Sequence, residues 1–266
     1  MKKTKDTDYL FLSSYLQAKM AHMDDRKPDK AAAFREMQSM APDPLIVDFF
    51  RLKYDYHNAK VYLKSVAAGT ENEHLYVALG RCAPAVLAEV CRTENYRSLP
   101  KAFADAVQSA AEVLGRTADP RLADFLLDKA YIREMRETAA QTGSDFLRGY
   151  ASLFADALNL RAAVRMLKSA VRPEQLSAVL TDCGSVGVSR IQSAYPDAAA
   201  VLSLFRSTPL APALAEAEKA AAGQGFSAFE RAVQAALDGY MDGAKTVCFG
   251  ENVLIRYLYQ VEGLRA

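Results

Sequence analysis

Two stretches of the sequence carry a carboxylate, an amide and two cations at matching positions, and these residue types could do chemistry. The members are Asp55, Asn58, Lys60 and Lys64 in the first set and Asp156, Asn159, Arg161 and Arg165 in the second. On an α-helix each Asp shares a face with the Asn three positions on, whereas the basic residue five positions on lies off that line. Such a polar stripe could form an active centre, or it could face a partner or a central cavity.

A structural role is the alternative for the same residues. In that role the Asn and Asp residues satisfy buried backbone or side-chain groups and fix the register of the helix. An amide such as Asn159, among Leu158, Leu160 and Val164, is expected to be enclosed and hydrogen-bonded. We expect the four basic residues of the two sets to form an exposed basic face, because such side chains are seldom fully buried.

Other signals of catalysis are weak. Glu134 with Glu137, or Asp124 with Asp128, could place two carboxylates on one helix face, but that spacing is common on solvated helices. None of the three histidines forms a visible nucleophile–base pair, and no glycine-rich phosphate motif occurs. The sequence therefore predicts no catalytic residue, no metal site and no cofactor.

Composition limits the class of protein. Hydrophobic residues make up 51% and charged residues 24%, which is typical of a soluble globular protein, and the net charge of +1 does not favour nucleic acid or anionic lipid as a partner. No apolar run approaches the roughly 20 residues that span a bilayer, and no secretory signal follows the N-terminus. The four cysteines form no CxxC pair, which fits a reducing cytosol, and we expect Cys82 and Cys91 to be small buried apolar residues.

The elements that position the two polar sets are long helices. Apolar residues recur at intervals of three and four over residues 145–170, which predicts one helix, and residues 45–65 predict a second that ends near Gly69. Further helices are predicted over 29–40, 101–114 and 226–245, and from Pro120 to Gly143. Alternating strand patterns are hard to find, so the predicted fold class is all-α.

The polar sets belong to a longer internal repeat. They are 101 residues apart, and other matches follow in nearly the same order. Gly80 matches Gly184 at 104 residues, Pro100 matches Pro209 at 109, and Asp128 matches Asp238 at 110. Residues 253–257 match 146–150 at 107. The pattern predicts helical repeats over 1–115, 116–219 and 220–266, of which the third is cut short inside its own long helix.

The chain resembles the subunit of V-type and A-type ATPases called C in prokaryotes and d in eukaryotes. The resemblance rests on the motifs Asp55-x-x-Asn58-Ala59-Lys60, Asp156-x-x-Asn159-Leu160-Arg161, Phe125-x-x-Asp128-x-x-Tyr131 and Tyr96-Arg97-Ser98-Leu99-Pro100. Together these motifs span most of the chain. Members of that family are usually longer and complete a third domain.

The resemblance implies a funnel of three similar helical domains without catalysis of its own. Such a protein seats the foot of the central rotor stalk on the membrane rotor ring and transmits torque for ion transport. It implies a peripheral position on the cytoplasmic face, membrane contact only through the ring and no nucleic acid partner. The polar sets would then line the funnel or bind a partner.

Two other functions remain open. A helical adaptor or scaffold unrelated to rotary ATPases would use the same repeated face to bind a partner. An all-α enzyme would place its site between the repeats and recruit Asp55, His57 or Asp156.

Overall fold

The computed structural model of the protein describes residues 5–23, 29–70, 72–169, 172, 176 and 179–263. Within these ranges the secondary structure is helical and contains no β-strand, which confirms the all-α prediction. The α-helices are α1 (Leu10–Ala21), α2 (Lys30–Met40), α3 (Pro44–Ala68), α4 (Pro84–Thr93), α5 (Lys101–Thr117), α6 (Pro120–Thr142), α7 (Asp145–Lys168), α8 (Val188–Ala194), α9 (Ala198–Ser203), α10 (Leu214–Ala221), α11 (Phe226–Asp242) and α12 (Glu251–Gly263). No helix in the described ranges is long and apolar enough to cross a membrane.

Local sequence signals set the ends of the long helices. Asp43 and Asp119 cap α3 and α6 by accepting hydrogen bonds from backbone N–H groups of the first turn, and a proline opens each helix. Gly69 and Gly143 end the same two helices with positive φ angles of 61° and 71°, a conformation that favours glycine. The predicted helix over residues 145–170 ends at Lys168, and Ala170 lies outside the described residues.

The chain forms two compact units. The first unit is Met1–Gly143 together with Val247–Ala266, and the second unit is Ser144–Thr246. Helix α12, which the repeat pattern assigns to a third domain, packs within the first unit against α1, α2 and α3. The division into repeats at 1–115, 116–219 and 220–266 stays a prediction, and the outermost residues of the first and third repeats lie outside the described residues.

Each unit is built around the long helix that carries a polar set. In the first unit α3 packs along α6, and α5 covers both. Their shared core contains the buried side chains of Tyr56, Leu63, Phe103, Val107 and Leu127. In the second unit α7 packs against α10 and α11. Burial of these apolar faces is the main force that holds the polar sets in place.

Candidate functional site

Asn58 clamps a loop to helix α3. Its side-chain Nδ2 donates to the carbonyl oxygen of Val77 at 2.9 Å, and its Oδ1 accepts from the backbone N–H of Val77 at 2.9 Å. The side chain is 1% exposed, so both polar atoms need a partner inside the protein. One amide therefore satisfies both backbone groups of a residue that belongs to no helix.

Asn159 makes the same pair of bonds in the second unit. Its Nδ2 donates to the carbonyl oxygen of Thr181 at 2.8 Å, and its Oδ1 accepts from the backbone N–H of Thr181 at 2.9 Å. The residue is fully buried. The hydrogen bonds of both asparagines thus agree with the structural role, which is one of the two alternatives given for them above.

Asp55 and Asp156 bind backbone N–H groups slightly further along the same two loops. Asp55 Oδ1 accepts from the backbone N–H of Cys82 at 3.1 Å. Asp156 accepts from the backbone N–H groups of Ser185 and Val186 at 3.1 and 3.0 Å, and from Ser185 Oγ at 2.5 Å. Both carboxylates are thus engaged by donors from their own unit.

A glycine lies against each aspartate. A Cβ atom added at Gly80 would lie less than 3.0 Å from Asp55 Oδ1, and one added at Gly184 would lie equally close to Asp156 Oδ1. In both cases the backbone nitrogen of the aspartate would be only 3.2 Å away. The match between Gly80 and Gly184 in the sequence therefore has a steric cause, since the loop passes too near α3 or α7 for a side chain.

The first unit contains a buried charge network that little in the sequence indicates. Arg81 donates from Nε to Asp55 Oδ2 at 2.6 Å and from Nη1 to Glu134 Oε1 at 2.7 Å. The hydroxyl of Tyr56 donates to the other oxygen of Glu134 at 2.8 Å. Glu134 is 6% exposed, so its interpretation as a carboxylate on a solvated helix was wrong. The reason is that α6 turns this residue towards α3.

The network favours a charged Arg81 and a neutral Tyr56. Burial alone would lower the pKa of Arg81, but the hydrogen bonds and charges of Glu134 and Asp55 outweigh burial and raise that pKa. Burial and the neighbouring Glu134 raise the pKa of Tyr56. Neither group is therefore placed to exchange protons near neutral pH.

The four basic residues of the polar sets pair with the neighbouring helix. Lys60 pairs with Asp128, and Lys64 Nζ lies 2.7 Å from Asp124 Oδ2. In the second unit a single carboxylate, Glu230, accepts from Arg161 Nε at 2.7 Å and from Arg165 Nη2 at 3.2 Å.

The expected exposed basic face is wrong for two of these residues. The side chains of Lys60 and Arg161 are only 24% and 16% exposed, whereas those of Lys64 and Arg165 are 54% and 63% exposed. The cause is the close packing of α3 on α6 and of α7 on α11, which covers the first basic residue of each set.

Corresponding ion pairs occur on α6 and α11. Asp124 on α6 and Glu230 on α11 hold corresponding cations, Lys64 and Arg165, and they are 106 residues apart. The burial pattern agrees at the same offset. The buried positions that match are Ala123 with Phe229, Leu127 with Val233 and Met135 with Met241. The two helices therefore present similar buried faces to α3 and to α7.

The residues that an enzyme site was expected to recruit make contacts within their own units. His57, which an enzyme site could recruit, is exposed, and its Nε2 lies 3.0 Å from the carbonyl oxygen of Leu75. Asp55 and Asp156 are held by donors of their own loops. In the part of the chain that the structure describes, no group of three or more His, Cys, Asp or Glu residues could hold a metal ion.

The two cysteines expected in the interior are partly buried. Burial raises the pKa of the Cys82 thiol to about 11 and that of the Cys91 thiol to about 11. Both are therefore protonated, weakly reactive groups at neutral pH.

The fold and the polar sets define an all-helical protein whose long helices are braced from within. The chain belongs to the ATP synthase (C/AC39) subunit family, whose model matches residues 29–262. It is similar to the C subunit of the V-type sodium ATPase of Enterococcus hirae, with 24% identity over 158 residues. That alignment covers 59% of this chain and 48% of the relative, so the chain spans about half the length of the curated relative it matches.

Proposed function

We propose that the chain is a non-catalytic socket protein of a rotary V/A-type ATPase. It would join the rotor axle of the central stalk to the membrane rotor ring and transmit torque between them. The observation that carries the proposal is the family match over residues 29–262. The protein would then lie on the cytoplasmic face and touch the membrane only through the ring.

The internal bracing supports a role in torque transmission. A socket must not yield under load, and both long helices are tied to their neighbours by asparagine clamps, aspartates that hold loops, and ion pairs. Buried, fully paired polar groups rigidify a helical packing and fix one register. These contacts favour a rigid wall over a catalytic pocket.

We infer that the polar sets divide into wall and surface residues. Asp55, Asn58, Asp156 and Asn159 are buried and would brace the wall of the predicted funnel. Lys60 and Arg161 would support it from their partly buried positions. The exposed side chains of Lys64 and Arg165 are the members that could touch a partner protein.

Binding to purified rotor components tests the proposal. The tagged chain is immobilised and exposed in turn to the central-stalk subcomplex and to the rotor ring of the same ATPase in detergent. We expect both to be retained. Retention of neither, with a folded chain, would overturn the rotary function and favour the adaptor.

A matched set of variants tests the surface residues. Lys64→Ala combined with Arg165→Ala should weaken retention of one component. Lys101→Ala, at a side chain that is 88% exposed on α5, is the control and should leave retention unchanged. Exposed ion pairs contribute roughly 0–1 kcal/mol, so these variants should stay folded.

A further inference from the structure

A cleft in the first unit is lined by three arginines. It lies between α2, α3 and the loop at residues 78–83, and its volume is about 590 Å³. Arg35, Arg51 and Arg81 contribute to its walls, and no Asp or Glu is among the described residues that line it. Three carboxylates of the described residues lie near these arginines without lining the cleft. Asp48 lies beside Arg51, and Asp55 and Glu134 bind Arg81.

Arg51 is held by neutral oxygens. Its Nε donates to the carbonyl oxygen of Leu79 at 3.2 Å, its Nη1 donates to Gln38 Oε1 at 3.3 Å, and its Nη2 donates to the carbonyl oxygen of Gly80. The carboxylate of Asp48 lies 3.8 Å from Nη1, beyond hydrogen-bond distance. Arg51 is therefore fixed in position by neutral acceptors, and Asp48 compensates part of its charge at ion-pair distance.

The other two arginines have unused hydrogen-bonding capacity. Arg81 Nη2 is buried and has no hydrogen-bond partner among the described residues, although Nε and Nη1 bind Asp55 and Glu134. Arg35 is exposed and forms no hydrogen bond or ion pair within the described ranges. A buried donor without a partner is uncommon in a native protein and calls for an acceptor.

We propose that this cleft binds the phosphate group of a small molecule. The planar fork of arginine matches phosphate oxygens in pairs, and its strong hydrogen bonds are made with charged acceptors. The volume lies within the range of small-molecule sites. Phe34 and Ala83 add apolar wall beside the charges, so the site fits a phosphate attached to a less polar group. This site is independent of the proposed rotary function.

Isothermal titration with pyrophosphate tests the site. Pyrophosphate is titrated into the whole chain at low ionic strength, and inorganic phosphate and an oligo-glutamate peptide are titrated separately. We expect saturable binding of pyrophosphate with one site per chain. Binding should weaken as salt is added, because the contacts are ionic.

Two variants of equal charge change locate the binding. Arg35→Gln should weaken pyrophosphate binding roughly tenfold, the size expected for loss of one charged hydrogen bond. Arg116→Gln, at an exposed position on α5 outside the cleft, should leave binding unchanged. Both positions are exposed, so both variants should fold, and circular dichroism checks this.

Three outcomes would overturn the proposal. The first is no saturable binding of pyrophosphate. The second is equal weakening by Arg35→Gln and Arg116→Gln, which would indicate attraction by net charge alone. The third is binding of the oligo-glutamate peptide without binding of pyrophosphate, which would assign the cleft to an acidic segment of a protein. None of these results bears on retention of rotor components.

Discussion

Asn58 and Asn159 hold Val77 and Thr181 in the same way. Each amide donates to the carbonyl oxygen and accepts from the backbone N–H of its partner, at distances of 2.8–2.9 Å. The partners lie 19 and 22 positions further along the chain. The same side chain thus ties a loop to the long helix in both units.

Loss of either amide should destabilise the protein markedly. Asn58→Ala and Asn159→Ala each remove two hydrogen bonds and leave a backbone N–H and a carbonyl without a partner, at an expected cost of about 2–4 kcal/mol in the free energy of unfolding. Urea denaturation measures this. Gln108→Ala, on the exposed face of α5, is the control, and an equal effect of control and test would contradict the clamp.

Replacement of glycine by alanine should lower stability in the loops and raise it in the helices. Gly80→Ala and Gly184→Ala should cost about 1–3 kcal/mol, because the added Cβ collides with an aspartate carboxylate and approaches its backbone. Gly115→Ala in α5 and Gly239→Ala in α11 meet no atom within 4 Å and should stabilise by roughly 0.5–1 kcal/mol. Thermal melting of the four variants checks the sign, and four changes of the same sign would contradict the geometry.

Removal of Arg81 should destabilise the first unit in a pH-dependent manner. Arg81→Met leaves two carboxylates buried without their cation, which costs about 3–5 kcal/mol near neutral pH. Burial then raises the pKa of Asp55 further, so the folded variant binds a proton more tightly than the unfolded chain.

The sign of that pH dependence follows from the raised pKa. The free energy of unfolding of the variant falls as the pH rises through the raised pKa of Asp55. The deficit, which is the loss of this free energy relative to the parent protein, should therefore be larger at about pH 7 than at about pH 5. Denaturation at both pH values measures the deficit. Arg116→Met is the matched control, and a deficit that does not change with pH would contradict the network.

Thiol labelling should distinguish the cysteines. Cys248 is exposed, whereas Cys82 and Cys91 are partly buried and have a pKa of about 11. Iodoacetamide at about pH 8 should therefore modify Cys248 first, because the thiolate is the reactive form. Peptide mass spectrometry follows each site, and Cys248→Ser should remove the fast phase. Faster labelling of Cys82 would show that its surroundings are open.

The positions of the helices and the recurrence of the polar sets could be predicted from the sequence. Periodicity and the end signals Asp29, Pro120, Gly69 and Gly143 placed the helices to within a few residues. These are local signals, which depend on neighbours in the chain. The spacing of Asp55 and Asn58 also marked the positions that bind loops.

The partners of these residues could not be predicted, because they are set by packing between distant segments. Glu134 looks like one of many surface carboxylates until α6 is laid against α3. Lys60 and Arg161 lose their exposure for the same reason. The pairing of Lys60 with Asp128 and of Arg161 with Glu230 likewise depends on which helices pack together.

The most direct test of the proposed function is the coupling of ATP hydrolysis to ion transport in membrane vesicles. The gene for the chain is deleted, and both ATP hydrolysis and ATP-driven ion uptake are measured, with re-expression of the chain as the control. A socket between axle and ring predicts that ion uptake is lost, that hydrolysis by the head persists, and that re-expression restores uptake. Undiminished ion uptake without the chain would contradict the socket function.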